Sequence, residues 1–222
     1  MSTDAGTAQR EDVGGQSSGT TTDTHVDRRA VLRWEIGAFV VTMLGGSALH
    51  FAFELSGFAE PVAIVASVNE STFEHLKLFF WPALLFALVE HAYMKNRCHN
   101  YWWGKGLALL VTPLAIIASF YFYIGIAVPL TGRGYLPLDI ATGALGVLVG
   151  NVVAYRILTS APKGRGSARA GVAIMVVLAL LMATSAWLTP QFFLYENFFG
   201  YEYSGAYGIL EDYTPYLVFD QR

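Results

Sequence analysis

Charged residues are scarce in this sequence. They make up 14% of the 222 residues, whereas a soluble domain carries about 25%. Together with a hydrophobic content of 54%, this deficit indicates a protein of the lipid bilayer. The net charge of −3 argues against a nucleic acid as partner. Cysteine is almost absent as well, and a single residue, Cys98, excludes both an intramolecular disulfide framework and a cysteine-based metal site.

Five apolar runs are long enough to cross a bilayer, given roughly 20 residues per spanning helix. They lie at Trp34–Phe53, Phe73–Tyr93, Gly106–Val128, Leu138–Leu158 and Ala170–Leu188. No run alternates with a period of two, so we predict an all-α integral membrane bundle of five transmembrane helices within residues 31–190. Residues 1–30 are small and polar, and we expect a disordered cytoplasmic tail there. Residues 191–222 are predicted to form an aromatic-rich extracytoplasmic tail.

The basic residues of the connections predict an orientation. Arginines and lysines precede span one and lie between spans two and three and between spans four and five, whereas the opposite connections contain only Arg133. By the positive-inside rule the N-terminus is in the cytoplasm and the C-terminus outside, as an odd number of spans requires. Arg28 and Arg29 also resemble a twin-arginine export signal. Glu35 and the lack of a small-x-small cleavage site favour a membrane anchor instead.

Polar residues gather on the predicted outer side of the bundle. The segment Val68-Asn69-Glu70-Ser71-Thr72-Phe73-Glu74-His75-Leu76-Lys77 runs directly into span two. His50 and Glu54 close span one on the same side, and Asp139 begins span four there. Polar groups at such a depth are costly and need specific partners.

One interpretation of the segment is structural. Ser71 and Glu74 have the spacing of a capping box, and Asn69 is an equally good N-cap. Glu74 and Lys77 are placed for an i,i+3 ion pair, with Glu70 on the same face of the helix. These residues would then begin a helix and lock spans one, two and four together, as in a non-catalytic membrane-complex subunit or a homo-oligomer.

The other interpretation is a divalent metal site, for instance for zinc. His50 and Glu54 are four residues apart and share a helix face. His75 would add a ligand from the next span, and Asp139 or Glu70 would complete a set of nitrogen and oxygen ligands that zinc accepts.

Such a site would suit a metal-dependent membrane-embedded hydrolase, in which Glu74 or Glu70 acts as general base. The His-Glu-x-x-His motif of known hydrolases does not occur, and no Gly-x-Ser-x-Gly motif lies within residues 31–190, the predicted transmembrane region. A third hypothesis is a proton-coupled transporter, although no internal repeat supports it. Its proton relay would use Glu54, Glu74, His75 and Asp139.

A family resemblance rests on these same segments. Leu49-His50-Phe51-Ala52-Phe53-Glu54 is followed by Val68-Asn69-Glu70-Ser71, by Glu74-His75-Leu76-Lys77 and by Trp81-Pro82. This order resembles an uncharacterised family of prokaryotic multi-pass membrane proteins, a domain of unknown function whose motif reads V-N-E-S-x-x-E-H-L-K. Phe73 stands where the motif has a tryptophan. The resemblance implies a fold and a multi-pass location in a prokaryotic cell membrane, and no mechanism.

Overall fold

The computed structural model describes residues 26–199 and 201–210. It contains five long helices, which are α1 (Arg28–Leu55), α2 (Thr72–Met94), α3 (Tyr101–Thr131), α4 (Leu136–Leu158) and α5 (Arg165–Thr184). All five are long and apolar enough to cross a membrane, so the predicted all-α bundle of five helices is confirmed. A short 3-10 helix (Glu60–Ile64) joins α1 to α2, and a hairpin of β1 (Glu196–Phe199) and β2 (Glu202–Tyr207) follows α5. Residues 1–25 of the predicted N-terminal tail and residues 211–222 of the predicted C-terminal tail lie outside the described residues.

Several helix ends differ from the predicted spans. α1 begins at Arg28, inside the predicted tail, because the Asp27 side chain accepts a hydrogen bond of 3.0 Å from the Ala30 amide. Such a cap satisfies a free amide of the first turn. α5 ends at Thr184, earlier than predicted.

The helices alternate in direction, and α3 lies centrally. It packs against α2, α4 and α5, while α1 packs against α2 and α4. Gly146 and Gly150 on α4 are buried against α3, where an added Cβ atom would overlap Ile116 or Thr112. Small residues at these positions let the two helix backbones approach closely. We call the end of the bundle where α1 ends and α2 begins the site end, and the opposite end the N-terminal end.

The chain after α5 returns across the site end. The Tyr195 ring stacks on Phe73 of α2 with centroids 4.1 Å apart, and the Phe73 amide donates to the Leu194 carbonyl at 2.8 Å. β1 and β2 then pair in antiparallel fashion, with Phe198 opposite Tyr203. The sequence analysis did not predict this hairpin, which places aromatic side chains over the end of the bundle.

Candidate metal-binding site

The start of α2 is fixed by a chain of caps. Ser71 is the N-cap residue, and its hydroxyl accepts a hydrogen bond of 3.2 Å from the Glu74 amide. The Asn69 side chain accepts from the Ser71 amide at 2.8 Å and donates to the Gly208 carbonyl at 2.9 Å. The segment before α2 is therefore tied to the residues after the hairpin.

Glu70 lies outside the helix, which changes where its side chain points. Because α2 begins at Thr72, Glu70 does not share a helix face with Glu74 and Lys77 as the spacing predicted. Its amide donates to the side chain of Asn197 in β1 at 3.0 Å. Its carboxylate instead contacts His75, with Oε2 3.3 Å from Nε2.

Two histidines and one carboxylate meet at the site end. His50 of α1, Glu70 and His75 of α2 each offer one ligand atom within 4.8 Å of the others. The two imidazole rings lie with their centroids 5.2 Å apart, and Nδ1 of His50 lies 3.4 Å from the hydroxyl of Ser67. Nitrogen and carboxylate oxygen form the ligand set of many catalytic zinc sites.

The hydrogen bonds of His75 show which of its nitrogens faces the site. Nδ1 lies 2.9 Å from the Ser71 carbonyl, which can only accept, so Nδ1 carries a hydrogen. In a neutral imidazole Nε2 then bears a lone pair, directed at the carboxylate of Glu70. Two electron-rich atoms at 3.3 Å require a cation, either a proton on Nε2 or a metal ion bound by both. Adjacent ligands of a tetrahedral zinc ion lie about 3.3 Å apart, given bonds of about 2.0–2.1 Å.

Electrostatics keep Glu70 ready to bind a cation. Burial alone would raise the pKa of its carboxyl group, but the hydrogen bond from His75 and the nearby imidazoles outweigh burial and hold the pKa below its usual value. An ionised carboxylate is the form that ligates metals.

The cluster forms part of the wall of a cavity of about 720 Å³. This volume is in the range of small-molecule sites, which are mostly apolar with a few converging polar groups. The polar groups are those of the cluster together with Asp139, Thr72, Thr142 and Tyr201. The apolar walls come from α1 to α4 and β1, and include Met43, Leu78, Phe79, Ile116, Phe120 and Phe198.

Exposed residues of α1 and α4 form part of the cavity wall. Ser47 on α1 lines it and is exposed. Across from it, Leu136 and Ile140 on α4 also line it, with 69% and 54% of their surface exposed. These residues lie on helices long and apolar enough to span a membrane.

Asp139 and Tyr201 lie on a second polar wall of the cavity. The Tyr201 hydroxyl, in the turn of the hairpin, donates to Oδ2 of Asp139 at 2.5 Å. Burial and the neighbouring carboxylate raise the pKa of Tyr201, so the phenol remains the donor. Oδ1 of Asp139 is buried and has no hydrogen-bond partner within residues 26–199 and 201–210. This oxygen is free to accept a proton from a bound molecule.

Glu54 is not part of the cluster. It lies one turn beyond His50, in the last turn of α1, and is half-buried. It neither lines the cavity nor belongs to the group that could hold an ion. The structure thus brings Glu70, rather than Glu54, together with the two histidines.

Glu74 belongs to a buried network of an ion pair and hydrogen bonds rather than to the cavity wall. Its Oε2 lies 2.5 Å from Nζ of Lys77 and accepts from the Val68 amide at 3.1 Å, while Oε1 accepts from the Ser185 hydroxyl at 3.1 Å. Lys77 also donates to the Ala63 carbonyl at 2.9 Å. These contacts join α2 to the 3-10 helix and to the end of α5, and they occupy both carboxylate oxygens.

A second cluster of charges lies near the N-terminal end and contains Glu35, Glu90 and Lys105. α3 begins at Tyr101, so Lys105 is a helix residue and not a loop residue. Its Nζ lies 2.6 Å from Glu35 and 2.7 Å from Glu90. A lysine one turn inside an apolar helix was the signal that could have identified this cluster.

Comparison with known proteins gives a family and no activity. No curated protein and no solved structure matches the chain significantly. The model of a family of unknown function, DUF6512, matches residues 25–209. This range contains all five helices, the hairpin and every residue of the candidate site. The chain therefore belongs to the family of unknown function DUF6512.

Proposed function

We propose that this protein is an integral membrane enzyme in which a divalent metal ion such as zinc, held by His50, Glu70 and His75, hydrolyses a lipid-like substrate. The observation that carries the proposal is the convergence of two imidazoles and one carboxylate, with ligand atoms within 4.8 Å of one another, on the wall of an apolar cavity. Three protein ligands leave the fourth position of a tetrahedral ion to water, as in catalytic zinc sites.

Asp139 has the chemistry of the general base in this proposal. A metal ion lowers the pKa of its bound water to about 7, and a nearby carboxylate can take the released proton. Asp139 lines the same cavity. Its Oδ1 has no hydrogen-bond partner among the described residues, while its Oδ2 accepts from Tyr201. When bound, the ion would supply an activated water for hydrolysis at a carbonyl or phosphoryl centre of the substrate. Asp139 would take a proton from this water and pass it to the leaving group.

The shape of the cavity supports a substrate that resides in the bilayer. Its walls are largely hydrocarbon and aromatic, which suits an acyl chain or an isoprenoid. The exposed residues Ser47, Leu136 and Ile140 at its rim would admit such a molecule from the lipid phase.

The orientation belongs to the same proposal. Basic residues are concentrated at the N-terminal end, where Arg28, Lys95, Arg97 and Lys163 all lie. By the positive-inside rule that end is cytoplasmic. The metal site would then lie in the outer leaflet of a cell membrane, with the hairpin outside.

Metal analysis of the purified protein tests the proposal, and Glu54 supplies a matched control. We expect about one divalent ion per chain in the wild type, and loss of that ion in His50→Ala, His75→Ala and Glu70→Gln. Glu54→Gln should retain the ion, because Glu54 lies outside the group. A wild-type protein that binds no metal after loading with zinc or manganese contradicts the proposal. If Glu70→Gln retains the ion and Glu54→Gln loses it, Glu54 rather than Glu70 is the carboxylate ligand, as helix spacing predicted.

One observation favours a non-catalytic alternative. The contact of 3.3 Å between His75 and Glu70 is also that of an ion pair, with a proton in place of the metal. In that case the cluster would lock α1 to α2 in a structural subunit of a membrane complex. The wild type would then contain no metal, and both histidine substitutions would lower thermal stability alone.

A further inference from the structure

The charge cluster near the N-terminal end is unbalanced. Glu35 of α1, Glu90 of α2 and Lys105 of α3 are buried, with 4%, 0% and 5% of their surface exposed. One ammonium group contacts both carboxyl groups, at 2.6 Å and 2.7 Å. With all three groups ionised the cluster would carry a net charge of −1.

Two oxygens of this cluster have no partner. Oε2 of Glu35 and Oε1 of Glu90 are inaccessible to solvent, and neither accepts a hydrogen bond from any residue that the structure describes. An ionised carboxylate offers about four acceptor positions, and a buried acceptor left unsatisfied costs about 1–3 kcal/mol, more when it is charged. A carboxyl group that carries a proton removes both the excess charge and the need for a further donor.

The neighbouring groups do not supply the missing positive charge. The Tyr101 hydroxyl beside Glu90 donates to the Ala87 carbonyl at 2.5 Å. Cys98 donates to the Met94 carbonyl at 3.3 Å. From α4, a neutral amide, that of Asn151, donates to the backbone carbonyl of Glu35 at 2.9 Å.

Among the described residues, no other cation pairs with Glu35 or Glu90. His91 of α2 packs its ring against Tyr101 and Trp102. Across residues 26–199 and 201–210, Lys105 alone forms an ion pair with Glu35 or Glu90. The rest of the surroundings is an apolar cluster that includes Val31, Met94, Ala108, Ala154 and Leu158.

We propose that Glu35, Lys105 and Glu90 form a proton-binding site that holds one exchangeable proton between the two carboxyl groups at neutral pH. The cost of an uncompensated charge inside an apolar helix bundle, several kcal/mol, keeps the proton bound while the site is closed. Release of the proton then requires water or a second cation to enter between α1, α2 and α3.

Infrared spectroscopy of the protein in liposomes tests this proposal directly. A protonated carboxyl group has a carbonyl stretching band that ionised carboxylates lack and that shifts in D₂O. At pH 7 the wild type should show this band. In Glu35→Gln and in Glu90→Gln the band should be weaker than in the wild type by the intensity of one carboxyl group per chain. The acid that remains is then ionised and paired one to one with Lys105. Glu54→Gln, at the site end, is the matched control and should retain the wild-type intensity.

Two results would overturn the proposal. One is a wild-type spectrum without the band at pH 7, a measurement that does not depend on whether any variant folds. If the melting temperature of the same protein also rises with sodium chloride and not with choline chloride, a metal cation occupies the site in place of a proton. The other is full band intensity in either glutamine variant, relative to Glu54→Gln.

Discussion

Replacement of Lys77 by methionine should destabilise the protein by about 3–5 kcal/mol, the usual cost of removing one partner of a buried ion pair. The side chains of Lys77 and Glu74 have only 0% and 3% of their surface exposed. Methionine retains most of the aliphatic stem but not the ammonium group. The substitution therefore removes the contact of 2.5 Å to Glu74 and the hydrogen bond of 2.9 Å to Ala63.

The magnitude follows from what remains around Glu74. The carboxylate keeps its hydrogen bonds from the Val68 amide and the Ser185 hydroxyl, but it loses its only cation among the described residues. Most of the cost is thus a buried charge without a counter-charge, and the lost bond to Ala63 adds about 1 kcal/mol. Glu74→Gln alone should also be costly, because it strands the ammonium group of Lys77.

The double substitution Lys77→Met with Glu74→Gln separates charge from packing. It leaves no buried charge, and neutral replacements of a buried pair are often tolerated. We expect it to recover most of the stability lost in the single variants.

Thermal unfolding in detergent, followed by tryptophan fluorescence, provides the measurement. For a chain of this size roughly 2–4 °C corresponds to 1 kcal/mol, so Lys77→Met should lower the melting temperature by roughly 6–20 °C. Lys95→Met, at an exposed lysine just after α2, is the control and should change the free energy of unfolding by less than about 0.5 kcal/mol. A Lys77→Met protein as stable as the control, or a double variant no more stable than the single ones, would refute the reasoning.

Three further predictions concern the hairpin and the cluster. Tyr201→Phe removes the hydrogen bond to Asp139 and should cost about 1.5–3 kcal/mol in unfolding free energy; unchanged metal content would show that Tyr201 holds Asp139 rather than the ion. Since the pKa of Glu70 is held below its usual value, its contribution to stability is fully present above the ordinary glutamate pKa of about 4.3 and is lost as the pH falls below it. Acid unfolding curves of Glu70→Gln should therefore converge with those of the wild type below this range, and a constant gap between the curves would contradict the assignment. Asn197→Ala removes the fully buried side chain that accepts from the Glu70 amide and donates to Ser204. Limited proteolysis within the hairpin should therefore be faster in this variant than in the control Ser160→Ala. Equal rates would exclude a role of Asn197 in docking the hairpin.

The sequence predicts the helices well because hydropathy and length are local properties. Each of the five apolar runs became a helix, and the start of α1 moved to Arg28 because the Asp27 side chain caps the helix there. The hairpin was missed because aromatic residues in a tail fit a membrane-interface belt equally well. The alternation of Tyr201, Tyr203 and Tyr207 with small or polar residues was the signal for a strand.

The candidate site was only partly predictable, since it depends on where a connection folds. Helix spacing correctly places His50 and Glu54 one turn apart, but it cannot show which residue of the next segment reaches them. That choice depends on Asn69 and Ser71, whose caps start α2 one residue after Ser71 and turn Glu70 towards His75. Long-range contacts of this kind, like the pairing of Lys105 with two helices, leave no periodic trace in the sequence.

Ser47 on α1 and Ile140 on α4 line the cavity and are exposed, and an entrance from the bilayer at these residues would determine how the concentration of a ligand must be counted. A molecule that enters from the hydrocarbon phase is present at its mole fraction in the bilayer, not at its concentration in water. Occupancy of the cavity would then fall when inert lipid or detergent dilutes the ligand within the membrane, even at constant total concentration. A ligand with too little hydrocarbon to partition into the bilayer would not reach the cavity at all, whatever its affinity for the side chains there.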